Sequence, residues 1–130
     1  MSSLADRRVV VVDDEAVIRQ LIVETLATIG IEEVRTFCNG QEVLAAMKEG
    51  LDPLLIITDL RMPAIDGRAL IQNLRIRRDM IELPIILMTG TPGDIDCSWG
   101  GFNALITKPI NIDILKALVS YHLETASIRS

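Results

Sequence analysis

Four short aliphatic runs each end at polar residues, and this pattern constrains the fold more than any other feature. Val9 to Val12 ends at Asp13-Asp14, and Leu54 to Ile57 ends at Thr58-Asp59. Ile85 to Met88 ends at Thr89, and Ala104 to Thr107 ends at Lys108. A continuous β-branched or aliphatic run of this length reads as a strand buried on both faces, which is the signature of a parallel sheet covered by helices. Val34 to Phe37 adds a shorter strand. An aliphatic-rich chain with only 3% aromatic residues suits such a sheet.

Helical periodicity fills the gaps between strands. Val17, Ile18, Leu21, Ile22, Leu26 and Ile29 share one face, and Gly30 stops that helix. Asn39-Gly40 opens a second, with Val43, Leu44 and Met47 inward and Gly50 at its end. A third runs from about Asp66 to Arg78, with Leu70, Ile71 and Leu74 inward. Its basic end, Arg75, Arg77 and Arg78, suits the helix dipole. Asn111 caps the last helix, with Ile112, Leu115, Leu118 and Val119 inward.

Residues 90–103 break the rhythm. Gly90, Pro92, Gly93, Gly100 and Gly101 fall within this stretch, and each interior Gly costs a helix about 1 kcal/mol relative to Ala. At most a turn or two of helix fits between Asp94 and Trp99. The expected architecture is therefore α/β: a doubly wound, five-stranded parallel sheet of (βα)5, flavodoxin-like form, with a short or irregular fourth helix. The 130 residues fit one domain, 1–130, with a core from about 7 to 124 and a frayed tail over 125–130.

The net charge of −5 argues against direct nucleic-acid binding, which needs a basic face. Cys38 and Cys97 stand far apart in no metal-binding spacing and read as free thiols in a reducing compartment. No apolar run is long enough for a signal-peptide core or a membrane span. A cytoplasmic protein is expected.

Ligands of open α/β sheets bind beyond the carboxyl ends of the strands. There the runs deliver Asp13, Asp14, Asp59, Thr89 and Lys108. Each has an ordinary reading alone: acids after a strand cap the next helix, a threonine closes a turn, a lysine is a solvated charge. Together they do not. At an effective dielectric near 20, two carboxylates ~5 Å apart repel by roughly 3 kcal/mol. One lysine cannot neutralise three acids, so the cluster implies a cation. All-oxygen ligands with open positions favour Mg²⁺ over a caged Ca²⁺. Such an ion beside a lysine and a hydroxyl suits phosphoryl transfer, with a carboxylate as nucleophile.

The runs Val9 to Glu15, Ile56 to Pro63 with Asp66-Gly67, Pro84 to Gly90, and Thr107-Lys108-Pro109 together resemble the signature set of response-regulator receivers of two-component signalling. The resemblance covers nearly the whole chain. It implies that Asp59 accepts a phosphoryl group from a histidine kinase or a histidine phosphotransfer protein. It implies that Asp14, Asp59 and the Arg61 backbone carbonyl bind Mg²⁺ directly, with Asp13 acting largely through water. Lys108 would pair with the carboxylate and then with the phosphoryl oxygens, aimed inward by a cis bond to Pro109. Thr89 would move to report the phosphoryl group, and Gly90 would keep room beside it. Arg61 and Thr91 occupy the positions where the family tunes phosphoryl lifetime.

Two positions depart from the pattern. Leu105 stands where the family usually has the Tyr or Phe that partners the threonine. The Gly-rich segment 90–103 replaces a regular fourth helix, and a short or mobile helix there is expected to carry the signal by ordering. Trp99 reads as a partner anchor or as cover for the core. His122 reads as a surface helix residue. A phosphorylation-independent pseudo-receiver is the alternative reading. An aspartyl phosphatase is disfavoured because Asp59-Leu60-Arg61 lacks the second acid of Asp-x-Asp. A flavodoxin-type nucleotide protein is disfavoured because no Gly-rich loop follows the first strand. The expected protein is thus a switch rather than an enzyme. It is expected to be monomeric, acting on an unknown output partner or through a C-terminal output domain outside this sequence.

Overall fold

The computed structural model describes residues 8–96 and 99–129, with side chains as far as Glu124. Strands β1 (Val9–Val12), β2 (Val34–Phe37), β3 (Leu55–Asp59), β4 (Ile85–Thr89) and β5 (Ala104–Thr107) alternate with helices α1 (Ala16–Ala27), α2 (Gly40–Lys48), α3 (Gly67–Arg75) and α4 (Ile112–Arg129). All neighbouring strands are parallel, in the order β2-β1-β3-β4-β5. The doubly wound sheet expected from the alternation is present.

Period-two alternation divides the core into two layers. Val9 and Val11 face a layer with Ile22 and Leu26 of α1 and with Leu115, Val119 and Leu123 of α4. Val10 and Val12 face the opposite layer, with Val43 and Met47 of α2 and Leu70, Ile71 and Leu74 of α3. All four valines are fully buried. Each contributes roughly 1.5–2 kcal/mol relative to an exposed position. The central strands β3 and β4 are buried throughout, whereas edge strands β2 and β5 carry exposed positions. That is why a charged residue such as Arg35 is accommodated mid-strand on edge strand β2.

Local signals fix the helix starts. The Asn39 side chain accepts from Glu42 N at 2.9 Å as the cap of α2, and Glu42 Oε1 accepts from Cys38 N, one residue before the cap, at 2.9 Å. Asp66 Oδ1 accepts from Ala69 N at 2.8 Å. Asn111 Oδ1 accepts from Ile114 N at 3.1 Å, the expected cap of α4.

Several expectations are corrected. Val17 is 78% exposed: nine residues at 100° each set it opposite buried Leu26. Ile112 opens α4 and is 40% exposed, ahead of the buried stripe at Leu115, Val119 and Leu123. Helix α4 continues to Arg129, through the residues read as a tail, because no Gly or Pro follows Pro109 to stop it.

Helix α3 ends at Arg75, not Arg78, and a 3-10 turn follows at Arg78–Met80. Arg75 is more than a dipole partner. Its guanidinium donates to the carbonyls of Met80 (2.7 Å), Ile81 (3.0 Å) and Gly101 (2.8 Å) and to Asn103 Oδ1 (3.1 Å). The chain therefore folds back around this side chain, whose pKa is lowered by its burial.

In the segment 90–103 the helical turn lies earlier than expected, as a 3-10 turn at Pro92–Asp94. The described residues there carry no α-helix. Trp99 packs on Phe102 and lies under Arg68, and Gly101 sits against α3 with φ +101°. A Cβ on Gly101 would stand 2.7 Å from Ile71 Cγ2, so this close approach requires glycine. Cys38 is an exposed free thiol, as expected. Cys97 lies outside the described residues.

Candidate functional site

Parallel pairing sets the strand ends side by side, so the polar residues that terminate the runs converge. Val12 pairs with Thr58 and Asp59 with Met88, which brings Asp13, Asp59 and Thr89 to one rim. Backbone bonds continue past the strands: Asp13 N donates to Phe37 O (3.1 Å), Leu60 N to Met88 O (2.9 Å) and Lys108 N to Thr89 O (2.8 Å). The loops that carry the charges are thus extensions of the ladder.

Asp13 is fully buried, Asp59 is 6% exposed, and Asp14 is exposed. One carboxylate oxygen from each lies within 4.8 Å of the others. Lys108 Nζ reaches across from β5 and donates to Asp13 Oδ2 at 3.0 Å. It also pairs with Asp59 Oδ1 at 3.3 Å and Glu15 Oε1 at 3.7 Å. The Lys108–Pro109 bond is cis, as expected. Burial raises the Asp59 pKa, the neighbouring Asp13 charge raises it further, and Lys108 opposes both. Burial pulls Lys108 down, but the hydrogen bond and charge of Asp13, then of Asp59, outweigh it and hold its pKa up.

Two glycines frame the acceptor side. Gly67 N donates to Leu60 O at 2.8 Å. A Cβ there would stand 2.4 Å from the Asp59 carbonyl oxygen, so the Asp66-Gly67 turn lies flat against the end of β3. Gly90 is different: the nearest atom to its added Cβ is Lys108 Cβ at 4.0 Å, which leaves room for alanine.

Thr89 is buried, and its hydroxyl accepts from Thr91 N at 2.9 Å and lies 3.2 Å from Thr91 Oγ1. Arg61 and Thr91, two places past Asp59 and Thr89, meet at 3.4 Å, and both bind Asp94. Leu105 lies on edge strand β5, 36% exposed, in register with Leu87.

Sequence reasoning missed three contributors. Glu15 extends the acidic run toward Lys108, and Arg19 Nη1 donates to Asp13 O at 2.7 Å. Their signal was their place beside and one turn beyond Asp13-Asp14. Asp94 gave no signal, because its partner Arg61 is distant in sequence. The arrangement amounts to a rim of oxygen donors with one cation and a buried carboxylate whose charged form is disfavoured. It can hold a hard divalent ion and offer a nucleophilic oxygen.

Comparison with known proteins agrees with this chemistry. The family model described as the response regulator receiver domain matches residues 9–120. The DNA-binding transcriptional regulator NtrC of Salmonella typhimurium is 40% identical over 114 residues, 84% of this chain but 23% of NtrC. Chemotaxis protein CheY1 of Helicobacter pylori is 31% identical over 121 residues, 91% of this chain and 98% of CheY1. The chain thus spans less than a quarter of NtrC and nearly all of CheY1. The solved signal receiver domain of a signal transduction histidine kinase from Syntrophus aciditrophicus matches with a TM-score of 0.83 and 29% identity, covering 92% of this chain and 91% of that one.

Proposed function

Because the chain belongs to the response-regulator receiver family of two-component signalling, we propose that it is a switch driven by a phosphoryl group on Asp59. One observation carries the reading. Asp59 is a buried carboxylate at the end of β3, 3.3 Å from Lys108 and within 4.8 Å of the Asp13 and Asp14 oxygens. In the proposed step an Asp59 oxygen attacks the phosphorus of a phosphohistidine on a histidine kinase or a phosphotransfer protein. The P–N bond breaks, its electron pair leaves with the imidazole, and a mixed anhydride forms. Lys108 pairs first with the carboxylate and then with the phosphoryl oxygens, so the transferred charge always meets a cation.

The donor set fits Mg²⁺: three carboxylates within reach of one point, and no His or Cys among them. Asp14, Asp59 and the Arg61 backbone carbonyl would hold it, with Asp13 acting through water. When bound, the ion neutralises charge on the transferring group. Phosphorylation then adds charge and acceptor oxygens where Thr89 lies. Thr89 exchanges its contacts with Thr91 for the phosphoryl oxygens, and the loop after β4 follows. Gly90 accommodates that shift, and Leu105 leaves the switch without the usual aromatic partner.

Residues 1–130 are read as one receiver domain, cytoplasmic and monomeric, that turns over no separate substrate. No helix among the described residues is long and apolar enough to cross a membrane. The output is a partner protein or a further domain, and the net charge of −5 speaks against direct nucleic-acid contact. A pseudo-receiver, acting without phosphorylation, has only Leu105 in its favour.

The test is incubation with Mg²⁺ and acetyl phosphate, followed by intact mass, beside Asp59→Asn. A phosphate-sized gain in the wild type alone supports the reading. A gain in both proteins assigns the wrong acceptor. A gain in neither, also after incubation with a phosphorylated phosphotransfer protein, favours the pseudo-receiver.

A further inference from the structure

Arg19 lies one turn into α1 and is half-buried behind the acidic rim. Its contacts bracket Asp14 on both sides. Nη1 donates to Asp13 O at 2.7 Å, and the Arg19 backbone N–H donates to Glu15 O at 3.2 Å. Asp13 is held at its other polar atoms too. Its N–H donates to Phe37 O, its Oδ1 accepts from Glu15 N at 2.9 Å, and its Oδ2 accepts from Lys108 Nζ at 3.0 Å. The Arg19 bond adds the carbonyl. That carbonyl belongs to the planar peptide that also carries the Asp14 N–H, so holding it orients Asp14. Helix α1 starts at Glu15 without a side-chain cap, and Asp14 is exposed. Neither a cap nor packing aims the Asp14 carboxylate.

We propose that Arg19 is a positioning residue for the Mg²⁺ site: by gripping the Asp13–Asp14 peptide it sets the Asp14 carboxylate before the ion arrives. The proposal rests on the Mg²⁺ reading above. A ligand set in advance loses little further freedom when the ion binds, and groups behind the ligands commonly tune metal affinity in this way. Charge alone makes the opposite prediction. The Arg19 guanidinium is always protonated, and a fixed cation behind the rim repels Mg²⁺. With charge as its whole effect, a neutral side chain at this position tightens Mg²⁺ binding. With Arg19 aiming Asp14, a neutral side chain loosens it. The two roles differ in sign.

The experiment follows amide NMR shifts of the unphosphorylated protein as MgCl2 is added, well below every Tm, and extracts the Mg²⁺ Kd. Arg19→Met keeps most of the apolar stem and removes both donor and charge. It should bind Mg²⁺ about three- to ten-fold more weakly than wild type, below the usual effect of groups that touch a metal ligand's own side chain. Arg75→Ala is the control. Its bonds go to residues that precede β4 and β5, at the opposite end of the strands, so it should lower Tm and leave the Mg²⁺ Kd unchanged. An Arg19→Met Kd equal to or tighter than wild type overturns the proposal and leaves Arg19 as a charge or as a brace for α1. Equal weakening in Arg19→Met and Arg75→Ala overturns it too, since general loosening of the fold then accounts for both. If Arg19→Met does not fold, Arg19→Gln, neutral and with a shorter stem, is read by the same criteria. If wild type binds no Mg²⁺, this proposal falls together with the Mg²⁺ reading. If wild type binds it and the Arg19 variant binds it equally well, this proposal falls alone.

Discussion

Replacing Asp59 by Asn should stabilise the metal-free protein. The Asp59 carboxylate faces acidic oxygens within 4.8 Å, and one such pair at an effective dielectric near 20 repels by roughly 3.5 kcal/mol. Asp13 is buried and exerts its share, whereas Asp14 is exposed and partly screened. Against this, Lys108 at 3.3 Å returns roughly 5 kcal/mol at the same dielectric. The charge pairs nearly cancel. Desolvation then decides, and it is the largest influence on Asp59. Asparagine removes that cost and keeps an oxygen for the Lys108 ammonium. A net gain of about 1–3 kcal/mol at pH 7 follows, less than the full penalty of a buried ion, with Tm higher by roughly 3–10 °C.

The pH dependence has a fixed sign. The folded pKa of Asp59 lies above its unfolded value near 3.8. Its protonated form therefore stabilises the fold fully below that unfolded value, and the contribution is lost as pH rises through the folded one. Asparagine mimics the protonated form, so the gap between the proteins is widest at neutral pH and closes toward pH 4. Thermal melts by circular dichroism in EDTA across this range provide the measurement. Added Mg²⁺ should raise the wild-type Tm and narrow the gap, because the ion binds the folded state. A variant that melts at or below wild type in EDTA at pH 7 would refute the reasoning.

Other substitutions test other parts of the frame. Gly67→Ala brings a methyl to 2.4 Å from the Asp59 carbonyl and should cost about 2–3 kcal/mol in urea unfolding, in the range of overpacked sites. Lys108→Ala leaves Asp13 and Asp59 without their ammonium and should cost about 2–4 kcal/mol in EDTA, much of it recovered with Mg²⁺ in the same melts. Arg75→Ala strips hydrogen bonds from the Met80, Ile81 and Gly101 carbonyls and should cost about 2–3 kcal/mol. Amide exchange should then quicken over residues 99–103.

The sheet was legible because burial on both faces forces unbroken aliphatic runs, so β1 matched its expected bounds to the residue and β3 and β4 to within one or two. The site was legible for the same reason: where a buried strand surfaces, the first polar residues mark the rim. Helix faces were read less well. Periodicity alone cannot tell which apolar residue at a helix end overhangs the core, and Val17 and Ile112 do. Arg75 was seen as a dipole partner because its carbonyls come from β4 and β5 loops, contacts that no local pattern encodes. Asp94 was missed likewise, since its meaning depends on Arg61, which only β3–β4 pairing brings near.

The bond between Lys108 and Asp13 joins residues 95 positions apart. During synthesis the three acids emerge and gather long before the ammonium that tempers them, and β5 is an edge strand that can dock only after β4 is in place. A nascent chain short of residue 108 therefore carries an acidic rim without its counter-charge. The charge balance of the rim is therefore completed in one late event, and a molecule cut short before Lys108 keeps the acids without the ammonium.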